Sequence, residues 1–167
     1  MSSPSPSDIV FAAFNARYAH TSFGARYLLA NMGALKKRAA LMEFDLQVQP
    51  RVALEKILAR DPKIVSIGCY IWNIELVTKV AALLKSVRPD IHLILGGPEI
   101  SYETEAQEIF HLADHVVCGE GEIEFPKLCR SLLRTACFQQ ANAESLHDVG
   151  GTPSVPPASS GLPAEPP

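Results

Sequence analysis

Ile64–Asn73 reads IVSIGCYIWN. Its first six residues form a short apolar run, as expected of a strand covered on both faces. Glycine and aromatic residues then interrupt the run. Helical spacing resumes at once: Ile74, Val77, Ala81 and Leu84 share one face of a helix predicted over 73–87. A buried strand, a loop of unusual content and an amphipathic helix thus follow one another within a single unit.

The same unit recurs on both sides. Upstream, Ile9–Phe14 (IVFAAF) is wholly apolar, and Ser22 can cap a helix over 23–38 whose apolar positions are Leu28, Met32 and Leu35. Leu41–Leu46 alternates like a strand, and Arg51–Arg60 is a short helix with Leu54, Ile57 and Leu58 inward. Downstream, Pro89 and Asp90 make a turn into a fourth strand, Ile91–Leu95. Ser101 can cap a helix over 102–112, with Glu103 and Glu105 in its favourable first turn. His115–Cys118 is a short fifth strand, and Pro126 suits an early position of a last helix over 124–138. Five strands alternating with five helices imply an α/β fold, a doubly wound five-stranded parallel sheet of flavodoxin-like or Rossmann-like type. The folded domain is expected over 8–138, between a disordered N-terminus (1–7) and a Pro/Ala/Ser-rich tail or linker (139–167).

Composition narrows the class. Of 167 residues, 47% are hydrophobic and 20% charged, and the formal net charge is -3, which argues against a nucleic-acid partner. Cys69, Cys118, Cys129 and Cys137 lack metal-ligand spacing, and Cys69 and Cys118 are expected in the core. The N-terminus MSSPSPSD lacks the charged start and apolar stretch of a secretory signal, and no apolar run reaches membrane-spanning length. A soluble cytoplasmic protein is expected.

In such sheets, ligands bind beyond the carboxyl ends of the strands, where strand order reverses. The loops at that edge are NARYAHTSFG (15–24), GCYIWN (68–73), GGPEIS (96–101) and GEGE (119–122), whereas the opposite edge carries ordinary polar turns. Gly96, Gly97 and Pro98 remove side chains where a strand ends, and Gly119 and Gly121 offer the same freedom beside Glu120 and Glu122. Those acids would repel a phosphate. The first loop is long and carries Asn15, Arg17, Tyr18, His20 and Thr21, while Tyr70, Ile71 and Trp72 can pack on a planar ligand. The dinucleotide glycine fingerprint, a Walker A loop and the phosphoacceptor acids of a receiver domain are all missing from their places. Three readings stay open: a cofactor-binding module, a degenerate flavodoxin-like or receiver-like protein-interaction module, and a small enzyme using His20, Glu120 and Glu122.

NARYAHTSFGARYLLANMG, SIGCYIWN, ILGGPEISYE and VVCGEGE together resemble the N-terminal cobalamin-binding domain of cobalamin-dependent radical S-adenosylmethionine enzymes, over about residues 8–135. The resemblance implies cobalamin as cofactor, held between the sheet edge and a radical domain. Ser66, Gly68, Gly96, Gly97 and Pro98, with the adjoining Glu99, would line the cofactor's nucleotide tail. Asn15, Arg17, Tyr18, His20, Thr21, Tyr70, Gly119, Glu120, Gly121 and Glu122 would lie nearer the corrin. Other cobalamin domains carry D-x-H-x-x-G after the first strand; here the sequence departs from that pattern, with Asn15 near the Asp position and H-x-x-x-G from His20 to Gly24, and His20 is the candidate cobalt ligand that the resemblance offers. The family's C-x-x-x-C-x-x-C motif does not occur in this sequence. S-adenosylmethionine and the iron–sulfur cluster would therefore belong to a radical domain acting in cis or in trans, and the chain is expected to be a standalone binding domain or a piece of a longer enzyme, without catalysis of its own. A bulky residue at Gly97 is expected to block the cofactor while leaving the fold intact.

Overall fold

In a computed structural model, five parallel strands stand in the order β2-β1-β3-β4-β5. This is the doubly wound order expected, and it reverses between β1 and β3. Residues 5–16, 21–101 and 108–147 are described, with side chains to Thr135. The chain runs β1 (Ile9–Asn15), α1 (Phe23–Ala30), a 3-10 turn (Gly33–Arg38), β2 (Ala39–Asp45), α2 (Pro50–Leu58), β3 (Ile64–Gly68), α3 (Ile74–Val87), β4 (His92–Gly96), a 3-10 turn (Pro98–Ile100), α4 (Glu108–Leu112), β5 (His115–Val117) and α5 (Gly121–His147). Residues up to Leu133 form one compact unit, and a second begins at Arg134 within α5.

Alternation along the strands assigns the two faces. Val10, Ala12 and Phe14 of β1 share a buried cluster with Val65, Ile67, Leu93 and Leu95, and α2 and α3 cover it with Leu54, Ile57, Val77, Val80 and Leu84. On the other face Ile9, Phe11, Ile64 and Ile94 pack against Met32, Leu35, Phe125, Cys129 and Leu133. Parallel pairing is in register, with Phe11 beside Ser66, Ser66 beside Ile94, and Gly68 beside Gly96.

Several element ends differ from expectation for identifiable reasons. α1 stops at Ala30 rather than 38, because Asn31 caps it and Gly33 takes a positive φ of 56°. The apolar spacing across Met32 and Leu35 nevertheless serves the core, since both are buried from the turn that follows. α5 begins earlier and continues beyond 138 to His147, through a proline-free stretch rich in helix-forming Ala, Gln and Glu. Pro126 therefore sits inside α5, near its start. The fourth helix is described only over Glu108–Leu112, and 102–107 of the expected segment lie outside the described residues. Cys118 is exposed, not in the core, because β5 ends at Val117 and Cys118 opens the following loop. Cys69 and Cys129 are buried. No helix among the described residues is long and apolar enough to cross a membrane.

Candidate functional site

A cleft of about 560 Å³ opens on the α1/α5 face at the carboxyl end of the sheet. Its position follows from side-chain size. On this face β1 presents Phe11, Ala13 and Asn15, β3 presents Ser66 and Gly68, and β4 presents Ile94 and Gly96, all of which line the cleft. The residues shrink toward the carboxyl ends, so the sheet and the helices above it cannot close on each other there. Gly24, Tyr27 and Leu28 of α1 form one wall; Gly121 and Phe125 of α5 form the other. The Phe11 and Phe125 rings meet with centroids 5.1 Å apart within this lining.

Ser66 is the buried polar residue of this floor. It is 8% exposed, it lines the cleft, and among the described residues nothing hydrogen-bonds its hydroxyl. A buried hydroxyl without a partner is unfavourable, and a ligand bearing a hydrogen-bonding atom would satisfy it.

Tyr70 and Trp72 stack with centroids 4.6 Å apart. A Cβ at Gly68 would lie 3.2 Å from the Tyr70 ring, and one at Gly24 would lie 3.2 Å from its hydroxyl. Tyr70 thus leans over Gly68 toward the first turn of α1, where Phe23 and Tyr27 form a second stack at 6.3 Å. Phe23, Tyr27, Ile71 and Trp72 all remain well exposed. Asn73 builds the turn that carries Tyr70. It is buried; its side-chain amide donates to the carbonyls of Phe14 and Gly68 and accepts from the Tyr70 backbone N–H at 2.8 Å. One side chain therefore ties β1 to β3 where strand order reverses.

Of the residues singled out in the sequence, Asn15, Thr21, Ser66, Gly68, Tyr70, Gly96, Gly97, Gly119, Gly121 and Glu122 line the cleft. Pro98, Glu99 and Glu120 do not; Glu99 instead lines a separate groove with Glu75 and Glu108. Arg17, Tyr18 and His20 lie outside the described residues. The expectation for Gly97 needs correction. Its φ is 102°, and a Cβ there would fall 2.5 Å from the carbonyl oxygen of Cys69. Gly97 lets the β4 loop meet the β3 backbone, so a bulky residue would disturb the fold before it met any ligand. The Cys69 beneath this contact is inert: burial, and secondarily the charge of Glu99, push its thiol up to about 12. Sequence reasoning missed the cleft walls, above all Phe11, Leu28 and Phe125. Their signal was available as strand alternation, because Phe11, Ala13 and Asn15 share one side of β1.

A family model of the B12 binding domain matches residues 9–129. The chain is 35% identical over 69 residues to the 2-(S-pantetheinyl)-carbapenam-3-carboxylate methyltransferase of Streptantibioticus cattleyicolor, covering 41% of this chain and 10% of that protein. It is 31% identical over 74 residues to the cobalamin-dependent radical SAM methyltransferase TokK of Streptomyces tokunonensis, covering 44% of this chain and 11% of that protein. The chain thus spans about a tenth of the length of these relatives. A novel cobalamin-binding protein from Desulfitobacterium hafniense DCB-2, known from a crystal structure, superposes with a TM-score of 0.51 at 15% identity, over 74% of this chain and 58% of that one. At that identity the likeness speaks for the fold. The cleft is mostly apolar, lies at the switch point, is floored by two adjacent glycines and carries one buried hydroxyl, that of Ser66, without a partner among the described residues. The chain belongs to the B12-binding domain family.

Proposed function

We propose that this chain is the cobalamin-binding module of a radical S-adenosylmethionine-type protein and holds the corrinoid at the carboxyl edge of its sheet. The observation that carries the reading is the buried, unpartnered Ser66 hydroxyl on the floor of an apolar cleft at the topological switch point. Ser66 hydrogen-bonds the buried tail. Phe11, Leu28 and Phe125 exclude water around it, and Gly68 and Gly96 leave it room. Asn15, Thr21, Tyr70 and Glu122, with Arg17, Tyr18 and His20 of the same loop region, lie nearer the corrin. His20 would be the candidate residue to hold its cobalt. When bound, the corrinoid supplies a cobalt centre able to carry a methyl group or exchange electrons.

The radical partner is supported by the name of one relative, the cobalamin-dependent radical SAM methyltransferase TokK, which this chain resembles over about a tenth of that protein's length. Exposed Phe23, Ile71 and Trp72 around the mouth give such a domain an apolar surface to cover. That domain, in cis or in trans, brings the S-adenosylmethionine and the iron–sulfur cluster, and the assembly works in the cytoplasm. The test is direct. Purified protein is incubated with hydroxocobalamin, desalted and examined by visible spectroscopy. Retained, shifted corrin bands are expected; their absence overturns the reading. A further shift in His20→Ala establishes axial ligation, and an unchanged spectrum removes His20 from that role.

A further inference from the structure

The cleft has one wall that the core holds only in part: Leu28 and Leu29 of α1 pack against it while staying partly exposed. None of the residues of α1 is buried, whereas α3 buries Val77, Val80, Ala81 and Leu84. Polar contacts take the place of packing at the start of α1, and they converge on Glu43 in β2. One oxygen of its carboxylate accepts from the Ser22 backbone N–H at 2.7 Å and from the Asn15 side-chain amide at 3.4 Å. The other receives the Arg26 guanidinium. Ser22 is the cap of α1, its hydroxyl accepting from the Ala25 N–H. A single side chain thus joins the end of β1, the cap of α1 and the residue one turn further on. Glu43 itself does not line the cleft. The Ser22 N–H first, then Arg26 and Asn15, hold its carboxyl below the usual range, so the clamp is charged at neutral pH.

We infer that Glu43 is a positioning residue: it fixes α1 against the end of β1 and thereby sets the width of the cleft without touching the ligand. The inference rests on the reading of the cleft as a corrinoid site. It assigns the affinity of that site partly to an exposed residue on a strand at the edge of the sheet, outside the site. The strand cores do not depend on it, because its contacts are all at the surface.

The test uses the whole chain and two readouts. Amide hydrogen exchange of the free protein is followed in α1, with β1 and α3 as internal references. Hydroxocobalamin uptake is followed by spectral titration. Glu43→Ala is expected to exchange several-fold faster in α1 alone and to bind hydroxocobalamin about tenfold more weakly, the scale of one hydrogen bond to a charged group. Glu43→Gln keeps an acceptor for the Ser22 N–H and is expected to recover part of both effects. Unchanged exchange in α1 overturns the inference whatever the affinity, because Glu43 then does not hold the helix. Faster exchange with unchanged affinity overturns it too, because the helix position then does not govern the site. Failure of the wild type to take up hydroxocobalamin overturns the corrinoid reading itself and takes this inference with it.

Discussion

The two faces of the sheet are built to different ends. On the α2/α3 face every strand position from Val10 to Phe14, Val65 to Cys69 and Leu93 to Leu95 that points inward is large or well filled, and two amphipathic helices bury their apolar sides over it. On the α1/α5 face the amino-terminal end is packed through Ile9 and Ile64, the middle row carries Phe11, Ser66 and Ile94, and the carboxyl end falls away to Ala13, Gly68 and Gly96. One face holds the fold together and the other is left hollow where a ligand can enter. The room for a ligand lies where the stability of the domain does not depend on close packing.

The largest effect that tests this contrast is a cavity in the closed face. Leu84→Ala removes a side chain that is 1% exposed and should cost about 2–5 kcal/mol by denaturant unfolding, with little change in corrinoid affinity at temperatures where the protein is folded. Leu28→Ala, in the partly buried wall of α1, should cost well under half as much and weaken corrinoid binding instead. Equal losses of stability at the two positions would break the contrast.

Gly97 comes next. Gly97→Ala combines a left-handed backbone with a 2.5 Å approach to the Cys69 carbonyl, and should lose about 1–3 kcal/mol of stability even without cofactor. Gly119→Ala shares the positive φ, 77°, but meets open space, and should lose less. If both variants were equally stable, close backbone approach would not be what Gly97 provides.

These glycines show where a linear reading stops. The order of strands and helices, the parallel sheet and its loaded edge were legible in the sequence, because apolar runs and helical spacing are local signals. Ser66 came only through the family resemblance, with no local signal of its own. The purpose of Gly97 was not legible, since its neighbour is the Cys69 backbone on the adjacent strand. Gly68 was assigned to the cofactor's tail by resemblance alone, and the Tyr70 ring that stands 3.2 Å from a Cβ there was not foreseen. Glu43 gave no signal at all: within LMEFDL it is an outward-facing residue of an alternating strand, and its tie to Ser22 appears only when β2 pairs with β1. Non-local backbone approach and cross-strand polar contacts have no periodicity to read.

Ser66→Ala sharpens the comparison by separating the two properties of the open face. The hydroxyl has no described partner, so its loss should leave unfolding unchanged or slightly harder, while hydroxocobalamin affinity falls by up to about tenfold. The reverse outcome, lower stability with intact affinity, would place the hydroxyl in the fold rather than in the site.

The smallest expected effect concerns pH, and it too belongs to the open face. His92 stands two residues before Ile94 in β4, so it shares the side of the sheet that faces α1 and α5; its ring lies 5.9 Å from that of His115. Burial lowers its basicity below the ordinary value of 6.5; the charge of Asp114 opposes this, and His115 and Lys85 add to it. Between the lowered value and 6.5 the unfolded chain binds more protons here than the folded one. The contribution is therefore complete above about pH 6.5 and is lost as the pH falls through the folded value. Wild-type stability, followed by urea unfolding from pH 7.5 downward, should decline over that interval, and His92→Gln should flatten part of the decline. The closed face presents no titrating strand residue among Val10–Phe14, Val65, Ile67, Leu93 and Leu95, so a decline unaffected by His92→Gln would have to arise elsewhere in the domain, and the open face would lose its claim to being the softer one toward acid.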